Sequence, residues 1–203
     1  QTITLDTGHL SPEHNDAPRL VREWLLASGA PTTGGQPSGS ADLNVAVRRR
    51  DKETPDVVAV FDAKEKITTT WRELEALILH CRGHLVDGGV GVGERVAIFA
   101  PFTARTIAFV YACWAEGVIP VVADPGLGIA NMRRALRESR PAFVVTIRAT
   151  RIAARALHLA HRAKRLDLTA MTQPGQHTIS EWNSIADSET AAVLYTSGAT
   201  GPA

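Results

Sequence analysis

Three short, continuously apolar runs most constrain what this chain can fold into: residues 95–100 (RVAIFA), 118–123 (VIPVVA) and 142–146 (AFVVT). None is long enough for a core helix. None alternates in and out as a strand with one wet face would, so each is expected to be a strand buried on both sides. Between them, residues 104–116 and 129–139 are predicted helices, the second ending before Pro141. Strands and helices alternating at this distance, joined by short Gly/Pro turns, predict an α/β fold. Its sheet is mostly parallel and flanked by helices on both faces.

Upstream, a short helix is predicted from about Asp42 through Val47, then a strand over 57–61, a hairpin through Asp62 to Lys66 and a second strand ending at Thr69. Thr70-Trp71-Arg72-Glu73 reads as a capping box, with Thr70 capping the Glu73 amide and Glu73 reaching back. The helix that follows places Trp71, Leu74, Ile78, Cys81 and Leu85 on one stripe and stops at Gly88-Gly89. Downstream, a helix is predicted from Ala149 to about Lys164, loop or edge structure over 169–188, and a last buried strand over 191–195 (AAVLY). At the other end, residues 17–28 have helical spacing and residues 30–40 (APTTGGQPSGS) form a flexible linker. The expected division is therefore 1–41, an N-terminal helix and linker; 42–190, an α/β subdomain; and 191–203, a strand and truncated loop of the next subdomain.

Composition narrows the class. The chain has 203 residues, 44% of them hydrophobic and 21% charged, which excludes disorder and collagen-like sequence. With 22 Lys/Arg against 21 Asp/Glu, the net charge of +1 provides no global attraction to nucleic acid or an anionic membrane. Cys81 and Cys113 lack C-x-x-C spacing and are read as buried thiols in a reducing compartment. No run approaches the ~20 apolar residues that span a bilayer, and residues 1–10 do not resemble a signal peptide, so the expected location is the cytoplasm. The missing initiator Met and the abrupt end at Gly201-Pro202-Ala203 lead us to expect that one or both ends arose by processing or by design.

Two glycine runs resemble nucleotide loops and are set aside. Residues 88–93 (GGVGVG) follow a helix and precede a strand, the reverse of the order that aims phosphate at a helix N-terminus, so they read as a helix stop and turn. Residues 126–131 (GLGIAN) do lie between strand and helix. They lack a third glycine and a ribose-binding carboxylate about 20 residues on, so Asp124 to Gly128 reads as a rigid turn at the carboxyl edge of the sheet. Arg148, Arg151, Arg155, His158 and Arg162 form a basic stripe on the predicted helix, opposite Ile152, Ala156, Leu159 and Ala163. A solvated face is the ordinary meaning of such a stripe. His158 and His161 have no Cys, Asp or Glu near them in sequence, so no metal site is assigned.

The last ten residues are the most specific. Leu194-Tyr195-Thr196-Ser197-Gly198-Ala199-Thr200-Gly201 runs a strand into three hydroxyl residues and two glycines, the ingredients of an anion-binding loop. It is not a Walker A loop, since Gly198 and Gly201 are three apart and no Gly-Lys-Ser/Thr follows.

This segment resembles the phosphate loop of the adenylate-forming superfamily of acyl-CoA synthetases, peptide-synthetase adenylation domains and luciferases. Its signature is Tyr-Thr-Ser-Gly-Thr/Ser-Thr-Gly, and Ala199 is the one departure. Thr70-Trp71-Arg72-Glu73-Leu74, Gly93-Glu94-Arg95-Val96-Ala97-Ile98 and Ala115-Glu116-Gly117-Val118-Ile119-Pro120-Val121 resemble other landmarks of that family in the same order. Residues 123–129 (ADPGLGI) with Arg140-Pro141-Ala142-Phe143, and the closing Pro202-Ala203, are most similar to the branch that activates long-chain β-hydroxy acids in olefin and β-lactone biosynthesis. The resemblance implies the N-terminal subdomain of that enzyme fold and a ligase that uses ATP and Mg²⁺. The enzyme would convert a carboxylic acid to an acyl-adenylate and pyrophosphate, with coenzyme A, an acyl carrier or the substrate's own β-hydroxyl as acceptor. Thr196, Ser197, Gly198, Thr200 and Gly201 are the implied phosphate contacts. No catalytic residue and no metal ligand fall within these 203 residues, so this stretch alone is expected to be inactive. The alternative is a non-catalytic α/β binding module that uses the basic helix 148–165 to hold an acidic partner or a lipid surface.

Overall fold

A computed structural model describes residues 43–157, 159, 162–174 and 190–196. The predicted segments at 17–28 and 30–40 lie outside the described residues. From Leu43 onward the elements alternate as the apolar runs require. Helix α1 spans Leu43–Glu53, a hairpin joins β1 (Val58–Asp62) to β2 (Ile67–Thr70), and α2 follows at Trp71–Asp87. Then come β3 (Arg95–Phe99), α3 (Ala104–Ala115), β4 (Ile119–Ala123), a 3₁₀ turn at Pro125–Leu127, α4 (Gly128–Ser139) and β5 (Phe143–Thr146). Helix α5 (Arg148–Ala156), β6 (Lys164–Asp167), the one-turn α6 (Leu168–Met171) and β7 (Val193–Tyr195) complete the described elements.

Strands β1 and β2 pair antiparallel as a separate ribbon. The other five form one parallel sheet in the order β6-β5-β3-β4-β7. Because successive strand residues point to opposite faces, the sheet feeds two cores. Val96, Ile98, Phe143 and Val145 pack with Leu74, Ile78, Cys81 and Leu85 of α2 and Ala108, Phe109, Ala112 and Cys113 of α3. Ala97, Val121 and Val144 pack the other way, against Leu136 of α4, Ala154 of α5, and Leu159 and Ala163. Helices thus cover both faces. Pro120 is tolerated within β4 because pairing with β7 begins one residue later, at Val121↔Val193, while Ile119 donates to Glu94 O on the β3 side.

The local signals behave as their chemistry demands. Thr70 Oγ1 accepts from the Glu73 amide at 3.3 Å and Glu73 Oε2 accepts from the Thr70 amide at 2.8 Å, closing the capping box. Helix α2 stops at Gly88, and Gly89 and Gly93 take left-handed φ values of +69° and +78°, so residues 88–93 are a turn.

Three expectations need correction. Helix α1 runs to Glu53 rather than Val47, its polar half carrying an Arg49–Glu53 pair at 4.0 Å. The helix expected over 149–164 ends at Ala156, because Lys164–Asp167 pairs with β5 from Phe143↔Lys164 to Thr146↔Asp167 and becomes β6, the outermost strand on that side among the described residues. The last strand is shorter than expected, spanning Val193–Tyr195, and among the described residues it is the outermost strand on its side of the sheet. It is hydrogen-bonded to β4, in the same sheet as β3.

Candidate functional site at the carboxyl edge

The site is built where β4 and β7 end side by side. Their register, Val121↔Val193, Val122↔Leu194 and Ala123↔Tyr195, brings both chains to the carboxyl edge together. The Asp124 amide donates to Tyr195 O at 2.9 Å, one last rung beyond the strands. Parallel sheets present ligand-binding loops at this edge.

Strand β7 is held from two sides. Val193 and Tyr195 pack against the core beneath α4. At its start, Trp114 Nε1 on α3 donates to Ala191 O at 2.7 Å, and the Trp114 ring stands edge-on to Tyr111 with centroids 5.2 Å apart. Nothing in the local sequence of 191–195 signals this anchor. The indole N–H of a half-buried Trp on α3 was the available clue, since it requires an acceptor.

On the β4 side the chain turns sharply. Asp124 Oδ1 accepts from the Gly126 amide at 2.8 Å, the Leu127 amide donates to Asp124 O at 3.0 Å, and Gly128 starts α4 with φ +71°. Asn131 Nδ2 then donates to Leu127 O at 3.1 Å, so its amide is engaged with the turn itself. The rigid turn read from residues 124–128 is therefore present, at the carboxyl edge and beside Tyr195.

Of the implied phosphate contacts, Thr196 is described, and it is exposed immediately after β7. Ser197, Gly198, Thr200 and Gly201 lie outside the described residues. The donor types at this exit, a hydroxyl followed by glycine amides, suit phosphate oxygens. Among the described residues there is no group of three or more His, Cys, Asp or Glu close enough to hold a metal ion.

The basic stripe is not one helical face. Arg148, Arg151 and Arg155 are on α5, Arg162 is in a turn, and Lys164 and Arg165 are on β6. His158 and His161 lie outside the described residues. Ile152, expected on the apolar face, is 66% exposed, and Ala154 is the buried residue of α5. Arg151 Nη1 lies 3.6 Å from Asp167 Oδ2, and Lys164 Nζ lies over the Phe143 ring at 5.4 Å. The helix 148–165 on which the binding-module alternative was based does not exist as a unit.

The cysteines match their reading as buried thiols. Burial pushes the Cys81 thiol up to about 12, and burial with Cys81 nearby pushes Cys113 well above its ordinary value, so neither is a nucleophile at neutral pH. A buried ion pair was not anticipated. Arg82 Nε donates to Glu116 Oε1 at 2.6 Å between α2 and the residue that ends α3, with side chains 1% and 8% exposed.

Residues 47–203 match the AMP-binding enzyme family, and the chain belongs to it. Among known proteins, the chain is 23% identical over 188 residues to an olefin beta-lactone synthetase of Xanthomonas campestris, covering 82% of this chain and 34% of that one. It is 31% identical over 118 residues to the p-hydroxybenzoic acid–AMP ligase FadD22 of Mycobacterium tuberculosis, covering 58% of this chain and 16% of that protein. Its fold is similar to that of O-succinylbenzoate coenzyme A synthetase of Bacillus subtilis in complex with AMP. The TM-score is 0.65 at 24% identity, over 76% of this chain and 39% of that one. The chain spans about a third or less of the length of these curated relatives. No helix among the described residues is long and apolar enough to cross a membrane.

Proposed function

We propose that this chain forms the N-terminal part of an ATP-dependent acyl-activating ligase. In the reaction, a carboxylate oxygen of a long-chain or β-hydroxy fatty acid attacks the α-phosphorus of ATP. The Pα–O–Pβ bond breaks, pyrophosphate leaves, and the acid is held as its acyl-adenylate. The observation that carries this reading is the placement of Tyr195 and Thr196, the first two residues of the Tyr-Thr-Ser-Gly-Ala-Thr-Gly sequence. A parallel strand brings Tyr195 and Thr196 to the carboxyl edge beside a second strand's turn.

The task of such a loop is electrostatic. The triphosphate must be oriented and its leaving-group charge stabilised by donors already in place. Thr196, Ser197 and Thr200 would supply hydroxyls, and Gly198 and Gly201 would let backbone amides approach the β- and γ-phosphates. At Ala199 only the amide can serve. Magnesium bound to the triphosphate would supply further charge neutralisation. The acyl acceptor would be coenzyme A, a carrier protein or the substrate's own hydroxyl.

The chain spans about a third of the olefin beta-lactone synthetase it resembles, and that likeness supports the long-chain β-hydroxy choice. We infer that the 203 residues act only as part of the longer ligase. Acid-dependent exchange of labelled pyrophosphate into ATP tests this. The intact ligase is expected to exchange with long-chain β-hydroxy acids, and the isolated 203 residues to stay at background. Exchange by the isolated chain overturns the partial-enzyme reading, and exchange only with aromatic or short acids overturns the substrate class.

A further inference from the structure

Charge is unevenly distributed along this chain. Residues 128–167 hold ten of the 22 Lys/Arg and two of the 21 Asp/Glu, so the rest of the chain is acidic, with 12 bases against 19 acids. The ten cations belong to α4, α5, the turns beside them and β6. Helices α4 and α5 lie on the same side of the sheet, since Leu136 and Ala154 share one core. Arg133 on α4 ties them together, donating from Nε and Nη2 to Leu157 O at 3.2 and 3.0 Å. Arg134 is paired with Glu138 and Arg151 with Asp167. Arg137, Arg140, Arg148, Arg155 and Arg162 are exposed, and no carboxylate among the described residues lies within ion-pair distance of them.

Ile152 stands among these arginines. It is 66% exposed on the side of α5 opposite the buried Ala154, with Arg148 one turn before it and Arg155 one turn after. Ile129, at the start of α4, is 48% exposed. Such a face is unsuited to burial inside a larger fold, because five guanidinium groups would each need a carboxylate there. It is suited to a plane of negative charge with apolar material beneath it. Arginine stems lie along apolar surface while their guanidinium groups reach phosphate oxygens, and an isoleucine between them enters the acyl boundary. Neither helix carries an aromatic side chain on which bases could stack, so the pattern favours lipid over single-stranded nucleic acid.

We propose that the α4–α5 face docks this protein on an anionic lipid bilayer as a peripheral, reversible contact. The inference stands on charge and exposure and does not depend on the ligase reading.

The test is sedimentation of the intact ligase with vesicles of phosphatidylcholine alone, or with about one-third phosphatidylglycerol. The wild type is expected to bind the anionic vesicles at about 0.1 M salt, to bind phosphatidylcholine at least tenfold more weakly, and to be released at about 0.5 M salt. An arginine near the membrane surface contributes about fivefold to partitioning, so Arg148→Gln with Arg155→Gln should lower it about 25-fold. Arg137→Gln with Arg162→Gln should do the same, which keeps the test decisive should the first pair unfold. Ile152→Ser should weaken binding severalfold without changing its salt dependence, and Arg72→Gln, on α2, should leave it unchanged. The proposal is overturned if wild type ignores anionic vesicles, if it binds neutral ones equally well, or if folded variants of both arginine pairs bind like wild type. Tighter binding of a DNA duplex through the same arginines, without vesicle binding, would assign the face to nucleic acid and also overturn it.

Discussion

Glu116→Ala is the most informative single substitution for the account of how α2 and α3 are held. The Arg82–Glu116 contact is 2.6 Å long with both side chains almost fully buried. Removing one partner of a buried ion pair costs about 3 to 5 kcal/mol. The exposed pair Arg72–Asp56 is an internal control at 3.2 Å, with side chains 63% and 84% exposed. Exposed pairs contribute at most about 1 kcal/mol, so Asp56→Ala should shift stability by a small fraction of the Glu116→Ala effect. With a urea m-value of about 2 kcal/mol/M, Glu116→Ala is expected to lower the urea midpoint by about 2 M. Circular dichroism at increasing urea measures it directly. Replacing both charges, Arg82→Met with Glu116→Leu, should yield a protein more stable than Glu116→Ala alone. A Glu116→Ala midpoint as close to wild type as that of Asp56→Ala would refute the reasoning.

Three further outcomes follow from the same structure. Burial, with Asp51 nearby, raises the Glu75 carboxyl above its ordinary 4.5, and its Oε2 is buried without a hydrogen-bond partner among the described residues. A raised carboxyl favours the fold below its unfolded value and loses that contribution as pH rises through the folded one. Glu75→Gln should therefore melt higher than wild type at about pH 7, with the gain shrinking toward about pH 4. Iodoacetamide at about pH 8 should leave Cys81 and Cys113 unlabelled in the folded protein and label both in denaturing urea, as mass spectrometry will show. Gly117 has φ +67°, and a Cβ there would meet Val92 Cγ1 at 3.0 Å, so Gly117→Ala should cost more than about 1 kcal/mol in urea melts.

The parts of the fold legible in the sequence are those where one local signal suffices. Strands β3, β4 and β5 are buried on both faces, so their apolar runs identify them, and Thr70 with Glu73 marks the start of α2 without reference to anything distant. The sheet edges did not read this way. Lys164-Arg165-Leu166-Asp167 has no β-branched residue and continues a helical basic pattern, and only pairing with β5 makes it a strand. The polar half of α1 lacks apolar periodicity after Val47, so its continuation to Glu53 carried no signal. The buried ion pair did leave a trace. Arg82 falls four residues after Ile78 and three before Leu85, on the buried stripe of α2, where a charge requires a partner. Its partner is 34 residues away, which no local reading could supply. At the candidate site, the glycine-rich run and the turn at 124–128 were each visible. What sequence could not show is that a hydrogen bond from the Asp124 amide to Tyr195 O brings the end of β7 beside that turn.

The proposed adenylation of a carboxylic acid is tested most directly by the products of a single turnover. The intact ligase, given ATP, Mg²⁺ and a long-chain β-hydroxy acid without an external acceptor, would be quenched and its products analysed by mass spectrometry and phosphate chromatography. Pyrophosphate and AMP-containing products are expected in equal amounts, with an acyl-AMP captured at early times. ADP, inorganic phosphate or an acyl phosphate in their place would contradict it.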